Sequence, residues 1–123
     1  MKYASPEAFL ASLAQRDPHQ PEYLQAVKEV MGSIWGFLQE FPHYADDALL
    51  ERLVEPDRVL QFRVCWVDDE GNTRVNRAFR IQHSMAIGPY KGGMRFHPSV
   101  NLSILKFLAF EQTFKNALTT LTM

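Results

Sequence analysis

The chain has 123 residues, a length suited to one domain, and 46% of them are hydrophobic, enough to build a core. Thirteen basic residues against fourteen acidic ones leave a net charge of −1, which argues against a polybasic binder of nucleic acid or of an anionic membrane. No run of about 18 apolar residues is present, so no spanning helix is expected. The start, Met1-Lys2-Tyr3-Ala4-Ser5-Pro6-Glu7, lacks the apolar segment of a signal peptide.

Ser5-Pro6-Glu7 reads as a helix start, with Ser at the cap, Pro in the first turn and an acid near the positive end of the helix dipole. The pattern predicts a helix to about Arg16, broken by Asp17-Pro18-His19-Gln20-Pro21. A longer helix begins near Pro21-Glu22. Tyr23, Val27, Val30, Met31, Ile34, Phe37, Leu38 and Phe41 recur at three- and four-residue steps and give it an apolar face, until Pro42 ends it. A third, short helix is predicted from about Asp46 to Val54.

The period then changes to two. Leu60, Phe62, Val64 and Trp66 alternate with Gln61, Arg63 and Cys65, a strand pattern. Asp68-Asp69-Glu70-Gly71-Asn72 reads as a polar loop, and Arg74 to Ile87 as a returning strand, so the two form an antiparallel hairpin. A further short strand is predicted around Met94–Phe96. Ser99 or Asn101 can cap a last helix from about Leu102 to Leu121, too apolar to lie fully exposed. The expected fold class is α/β (α+β-like): N-terminal helices, then a mixed sheet with an antiparallel hairpin and a buried helix.

Gly88-Pro89-Tyr90-Lys91-Gly92-Gly93-Met94-Arg95-Phe96-His97-Pro98 is the densest signal in the chain. Lys91 stands between a stiff proline turn and two glycines, which let the backbone approach a ligand. Taken alone, Lys-Gly-Gly in a loop reads as a solvated turn. On the following helix Gln112 and Lys115 are three apart and share a face. Glu111 and Lys115, four apart, could instead form a surface pair worth only about 0.3–0.5 kcal/mol. The surrounding Ile104, Leu105, Phe107, Leu108 and Phe110 leave little room for a solvated face, and polar groups entering such a helix need partners.

Other clusters read blandly. Arg63, Arg74, Arg77 and Arg80, interleaved with aromatics, are expected in salt bridges and subunit contacts with the acidic early helices rather than on a nucleic-acid face. Asp68, Asp69 and Glu70 lack the ligand spacing of a calcium loop. His19, His43, His83 and His97 show no metal-ligand spacing. Cys65, the one cysteine, cannot form an internal disulfide and reads as inert strand packing in a reducing, cytoplasmic protein. No Gly-x-Gly-x-x-Gly follows a strand, so no dinucleotide fingerprint is present. Tyr23, Val27, Ile34, Trp35 and Phe37, with Phe62, Trp66 and Phe79, are more apolar surface than one small sheet can cover, and self-association is expected.

Over nearly its whole length, and most densely from Ala86 to Leu121, the sequence resembles the amino-acid-binding part of the hexameric bacterial-type glutamate dehydrogenases, within the Glu/Leu/Phe/Val dehydrogenase family. The resemblance implies that Lys91 holds the side-chain carboxylate of L-glutamate (or 2-oxoglutarate), that Lys115, helped by Gln112, binds the α-carboxylate, and that Gly92 and Gly93 allow close backbone approach. Leucine and phenylalanine dehydrogenases resemble the chain around Gly92-Gly93 but carry an uncharged residue where Lys91 stands. In the family the end of this region leads into a Pro-Met-Gly-Gly-x-Lys-Gly segment with the catalytic lysine. Here Thr122 stands where the family has proline. Residues 1–123 therefore read as a truncated N-terminal substrate-binding and subunit-assembly domain, without catalytic lysine, catalytic aspartate or coenzyme domain. Lys106 does not match the catalytic position. The coenzyme of a full-length enzyme would be NADP or NAD, with a lean to NADP, and the expected assembly is a homo-oligomer, a hexamer in the family. The competing reading is a non-catalytic assembly protein. An independent amino-acid-binding module is weaker, because the family builds its pocket between two domains.

Overall fold

The computed structural model describes residues 1–121; the comparison drawn at Thr122 lies outside them. Helix α1 (Pro6–Arg16) starts as the sequence requires, with the Ser5 hydroxyl accepting from the Ala8 amide at 3.1 Å. Helix α2 (Pro21–Glu40) is about 30 Å long. A single 3-10 turn (Pro42–Ala45) follows it, then the short α3 (Leu49–Val54).

The core lies among the helices. Phe9 and Leu13 of α1, Tyr23, Ala26, Val27, Met31, Trp35 and Leu38 of α2, Leu50 and Val54 of α3, and Phe110 of the last helix form one buried cluster. Each large apolar side chain taken out of water there contributes about 1.5–3 kcal/mol. Tyr23 stands edge-on to Phe110, with ring centroids 5.7 Å apart, and its hydroxyl donates to the Val54 carbonyl. It thereby ties three helices together.

Strands β1 (Arg58–Val67) and β2 (Thr73–Gln82) pair antiparallel from Arg58↔Gln82 to Val67↔Thr73. The Asp68 carboxylate shapes the loop between them. It accepts from the Glu70 and Asn72 amides at 3.0 and 2.8 Å and pairs with Arg74 at 2.7 Å. Gly71 takes φ +83° there, a left-handed conformation that costs glycine nothing.

Helix α4 (Leu102–Leu118) is capped by Asn101, whose side chain accepts from the Ile104 amide at 2.9 Å. Its buried residues are Ser103, Lys106, Phe110 and Asn116, three of them polar. Ser103, Lys106 and Phe110 face α2, whose own N-cap residue Gln20 makes no side-chain cap, while Asn116 turns toward the Lys91 loop. The Ser103 hydroxyl accepts from the Tyr23 amide at 3.3 Å and donates to Glu22 at 2.6 Å, so α4 caps α2 from outside. Lys106 donates to the Gln20 side chain at 2.5 Å, lies 3.7 Å from Asp17, and sits 4.2 Å over the Tyr23 ring.

Four expectations are corrected. Met94–Phe96 forms no strand. Both large residues are nearly bare, at 95% and 89% exposure, and no third strand edge runs beside them, so the mixed sheet is present only as its antiparallel hairpin among the described residues. The second strand stops at Gln82 instead of Ile87, because β1 begins opposite at Arg58 and offers nothing to pair with beyond it. Cys65 is exposed, not packed, since the whole of β1 projects from the core. Within the chain, and among the described residues, the hairpin arginines form no ion pair with the early helices: Arg74 pairs with Asp68 in its own loop, and Arg63 and Arg77 stand opposite one another in register.

Candidate functional site

The Lys91 loop meets the hairpin base and α4 along a cleft of about 460 Å³. Lys91, Gly92, Gly93 and Gln112 all line it. The sequence separates the loop from the helix residue by some twenty positions; the fold closes that gap because α4 runs back past the end of β2. Phe62, Phe79, Leu105 and Leu108 supply apolar wall.

The charge on this cleft is one-sided. Arg80, Lys91 and Arg95 line it, and among the described residues no carboxylate does. Such a surface favours an anion, and a hydrogen bond involving a charged group is worth about 1.5–3 kcal/mol.

Two short chains of hydrogen bonds fix the loop. Gln112 Nε2 donates to Asn116 Oδ1 at 2.7 Å, and Asn116 Nδ2 donates to the Lys91 carbonyl at 3.4 Å. Asn116 is 2% exposed, so this link between the two candidate ligand-binding residues is inside the protein. On the other flank, Asp57 accepts from the Tyr90 hydroxyl at 2.8 Å and from the Met85 amide at 3.2 Å. The Asp57 bond also holds the Tyr90 phenol in its protonated form, raising its pKa.

Gly92 packs over the helix: a Cβ there would come 3.6 Å from Gln112 Cγ, an ordinary contact. A Cβ on Gly93 would meet nothing within 4 Å. Neither glycine has positive φ and neither added Cβ would clash, so nothing among the described residues demands glycine at either position.

Lys115 is the site residue that the structure does not bring in. It is exposed and absent from the cleft lining, although Gln112 three residues earlier is half-buried within it. Among the described residues it forms no ion pair with Glu111 either.

Sequence reasoning missed Asn116, Asp57 and His83. His83 lines the cleft at 4% exposure, its Nε2 is 2.8 Å from the Leu53 carbonyl, and its ring stands edge-on to Phe110. Ser103 and Lys106 also escaped it, although polar residues three apart in an apolar helix were the available signal. Lys106 lies on the α2 side of the helix and does not line the cleft. No group of His, Cys, Asp and Glu able to hold a metal ion occurs among the described residues, nor any helix long and apolar enough to cross a membrane.

Residues 56–123 match the Glu/Leu/Phe/Val dehydrogenase dimerisation domain. The chain is 70% identical to the NADP-specific glutamate dehydrogenase of Haemophilus influenzae over 99% of its own length and 27% of that protein's. It is 59% identical to the NAD-specific glutamate dehydrogenase of Bacteroides fragilis over 95% of its length and 26% of that protein's. The crystal structure of Plasmodium falciparum glutamate dehydrogenase superposes on 96% of this chain with a TM-score of 0.89 at 52% identity, using 25% of its own length. The chain thus spans about a quarter of the length of the relatives it matches. With the domain match covering more than half of its residues, the chain belongs to the Glu/Leu/Phe/Val dehydrogenase family.

Proposed function

We propose that this chain is the amino-acid-binding portion of a glutamate dehydrogenase, the enzyme class that interconverts L-glutamate with 2-oxoglutarate and ammonia. The observation that carries the reading is the meeting of Lys91 and Gln112 on a cleft that, among the described residues, has three cationic side chains and no carboxylate. Lys91 binds the side-chain carboxylate. Gln112 marks the place of the α-carboxylate, and Lys115 reaches it from the rim by turning its long stem toward Gln112. Gly92 and Gly93 leave the backbone open to the ligand. Holding both carboxylates fixes the α-carbon in one orientation, and positioning of this kind carries much of an enzyme's rate.

The coenzyme, NADP or NAD, accepts the hydride in such an enzyme. These residues do not fit it. A dinucleotide is held at a strand–turn–helix crossover of a parallel sheet, and the described residues contain one antiparallel hairpin. The coenzyme and the proton-transfer groups therefore belong to other parts of a whole enzyme. The setting we propose is cytoplasmic, consistent with an exposed lone thiol, Cys65, and the assembly a homo-oligomer, a hexamer by analogy with the bacterial-type enzymes.

The test uses a full-length glutamate dehydrogenase bearing this sequence. Lys91→Leu is expected to lower kcat/KM for glutamate about 10- to 150-fold and to spare norvaline, which has no side-chain carboxylate. Lys115→Leu is expected to lower it for both. Equal losses for glutamate and norvaline on Lys91→Leu would show that Lys91 does not read the side-chain carboxylate. The isolated 123-residue chain, mixed with glutamate and either coenzyme, is expected to show no coenzyme reduction. Steady turnover in material free of host enzyme would contradict the division of labour.

A further inference from the structure

We infer that Asp57 and Tyr90 are positioning residues for Lys91, acting together as a clasp that sets the height of its ammonium over the cleft. The inference rests on the reading of Lys91 given above. Asp57 precedes β1 and is bound to the cleft loop at three points. Its amide donates to the His83 carbonyl at 2.9 Å, and its carboxylate accepts from the Met85 amide at 3.2 Å and the Tyr90 hydroxyl at 2.8 Å. The first two bonds fasten the backbone where the loop leaves β2. The third fastens the side chain immediately before Lys91.

Tyr90 is held at its other end as well. Its carbonyl lies 3.5 Å from Arg80 Nη2, at the limit of a hydrogen bond, and the next carbonyl, that of Lys91, accepts from Asn116. A residue gripped at ring and backbone leaves the following Cα little freedom. The ammonium of Lys91 can then swing only within the reach of its own stem. Without the Asp57–Tyr90 bond the loop keeps its backbone anchors, so the fold survives, but the lysine is no longer aimed before the ligand arrives. The ligand must then order it, and that cost appears in binding.

Tyr90→Phe removes the hydroxyl alone, and Asp57→Asn keeps the shape while weakening the acceptor. In a full-length glutamate dehydrogenase bearing this sequence, each is expected to raise KM for glutamate about three- to tenfold, the worth of one hydrogen bond. The kcat values should stay within about twofold of the parent's, as for a loss of uniform binding. KM for norvaline should not move. In the Lys91→Leu background, adding Tyr90→Phe should change nothing further, because nothing remains to be aimed. Asp57→Glu, which keeps the carboxylate, should recover part of the loss. Three results would overturn the clasp: equal increases for glutamate and norvaline, no increase for either, or full multiplication of the two effects in the double variant. If Lys91→Leu itself fails to separate glutamate from norvaline, the reading of the lysine falls first, and that outcome is seen in the single variant before Tyr90 is altered.

Discussion

His83 has one ring nitrogen against the Leu53 carbonyl and the other, Nδ1, buried without a hydrogen-bond partner among the described residues. Protonating the ring would bury a charge and strand a new donor. Burial therefore pushes its pKa below the ordinary 6.5, helped by the Lys106 charge and opposed by the Leu53 carbonyl and the carboxylates of Asp57 and Glu55. The sign follows. In the unfolded chain the ring takes its proton near pH 6.5, and in the folded chain only at lower pH, so stability falls as pH drops below about 6.5. Thermal midpoints measured at about pH 7.5 and pH 5.5 should show that loss, and His83→Phe should remove most of it. A flat midpoint over that window would refute the assignment. The same residue illustrates what a sequence hides. Lys91 and Gln112 were readable from their neighbours, a stiff Pro-Tyr-Lys-Gly-Gly turn and an apolar helix. His83, Asp57 and Asn116 were not, because each acts on a partner far along the chain: Leu53, Tyr90 and Lys91, respectively.

At the scale of the element, α4 is the instructive case. Its apolar character suggested a buried helix, yet Leu105 and Leu108 face the cleft with Gln112 and Asn116, while the residues turned to α2 are Ser103 and Lys106 beside Phe110. The reason is the start of α2. Its first turn presents amides that Gln20 leaves uncapped, and the neighbouring helix supplies the oxygen. Starts and stops set by local chemistry, such as Ser5-Pro6 and Pro42, appear where the residues place them. Ends set by a partner, such as the last rung of β2, do not. Lys106 is the costliest member of the polar face: burial lowers its pKa against the pull of Asp17. Its stem fills space and its head meets Gln20 and the Tyr23 ring. Lys106→Ala, which empties that space and strands Gln20, is expected to cost about 2–4 kcal/mol. Lys106→Met, which keeps the volume and removes the charge, is expected to stay within about 1.5 kcal/mol of the parent. Urea unfolding at one pH measures both, and equal losses would mean that the charge, not the packing, holds the α2–α4 junction.

At the scale of the whole molecule, the question is what covers the hairpin. Leu60, Phe62, Val64 and Trp66 alternate along β1 and so point to one face of the ribbon, opposite Arg80, Ala78, Asn76 and Arg74. They are 39%, 49%, 40% and 45% exposed. The apolar residues expected to join them from α2 behave differently: Tyr23, Val27 and Trp35 are in the core, Ile34 is half-buried, and of that set only Phe37 is fully outside, at 50% exposure. Of the apolar residues expected at an interface, those left exposed thus lie mostly on the ribbon. A two-stranded ribbon is marginal in water by itself, and its two edges carry unpaired backbone groups. The match to a dimerisation domain agrees with a second copy as the cover. Light scattering at tens of micromolar is therefore expected to give a mass well above the 14.2 kDa of one chain. Phe62→Lys or Trp66→Lys, which put a charge into the apolar row, should lower that mass toward the monomer. Phe37→Lys, on α2, should leave it unchanged. A clean monomer for the parent chain would show that the ribbon stands in water uncovered. A mass that falls with Phe37→Lys but not with Trp66→Lys would move the interface from the hairpin to the second helix.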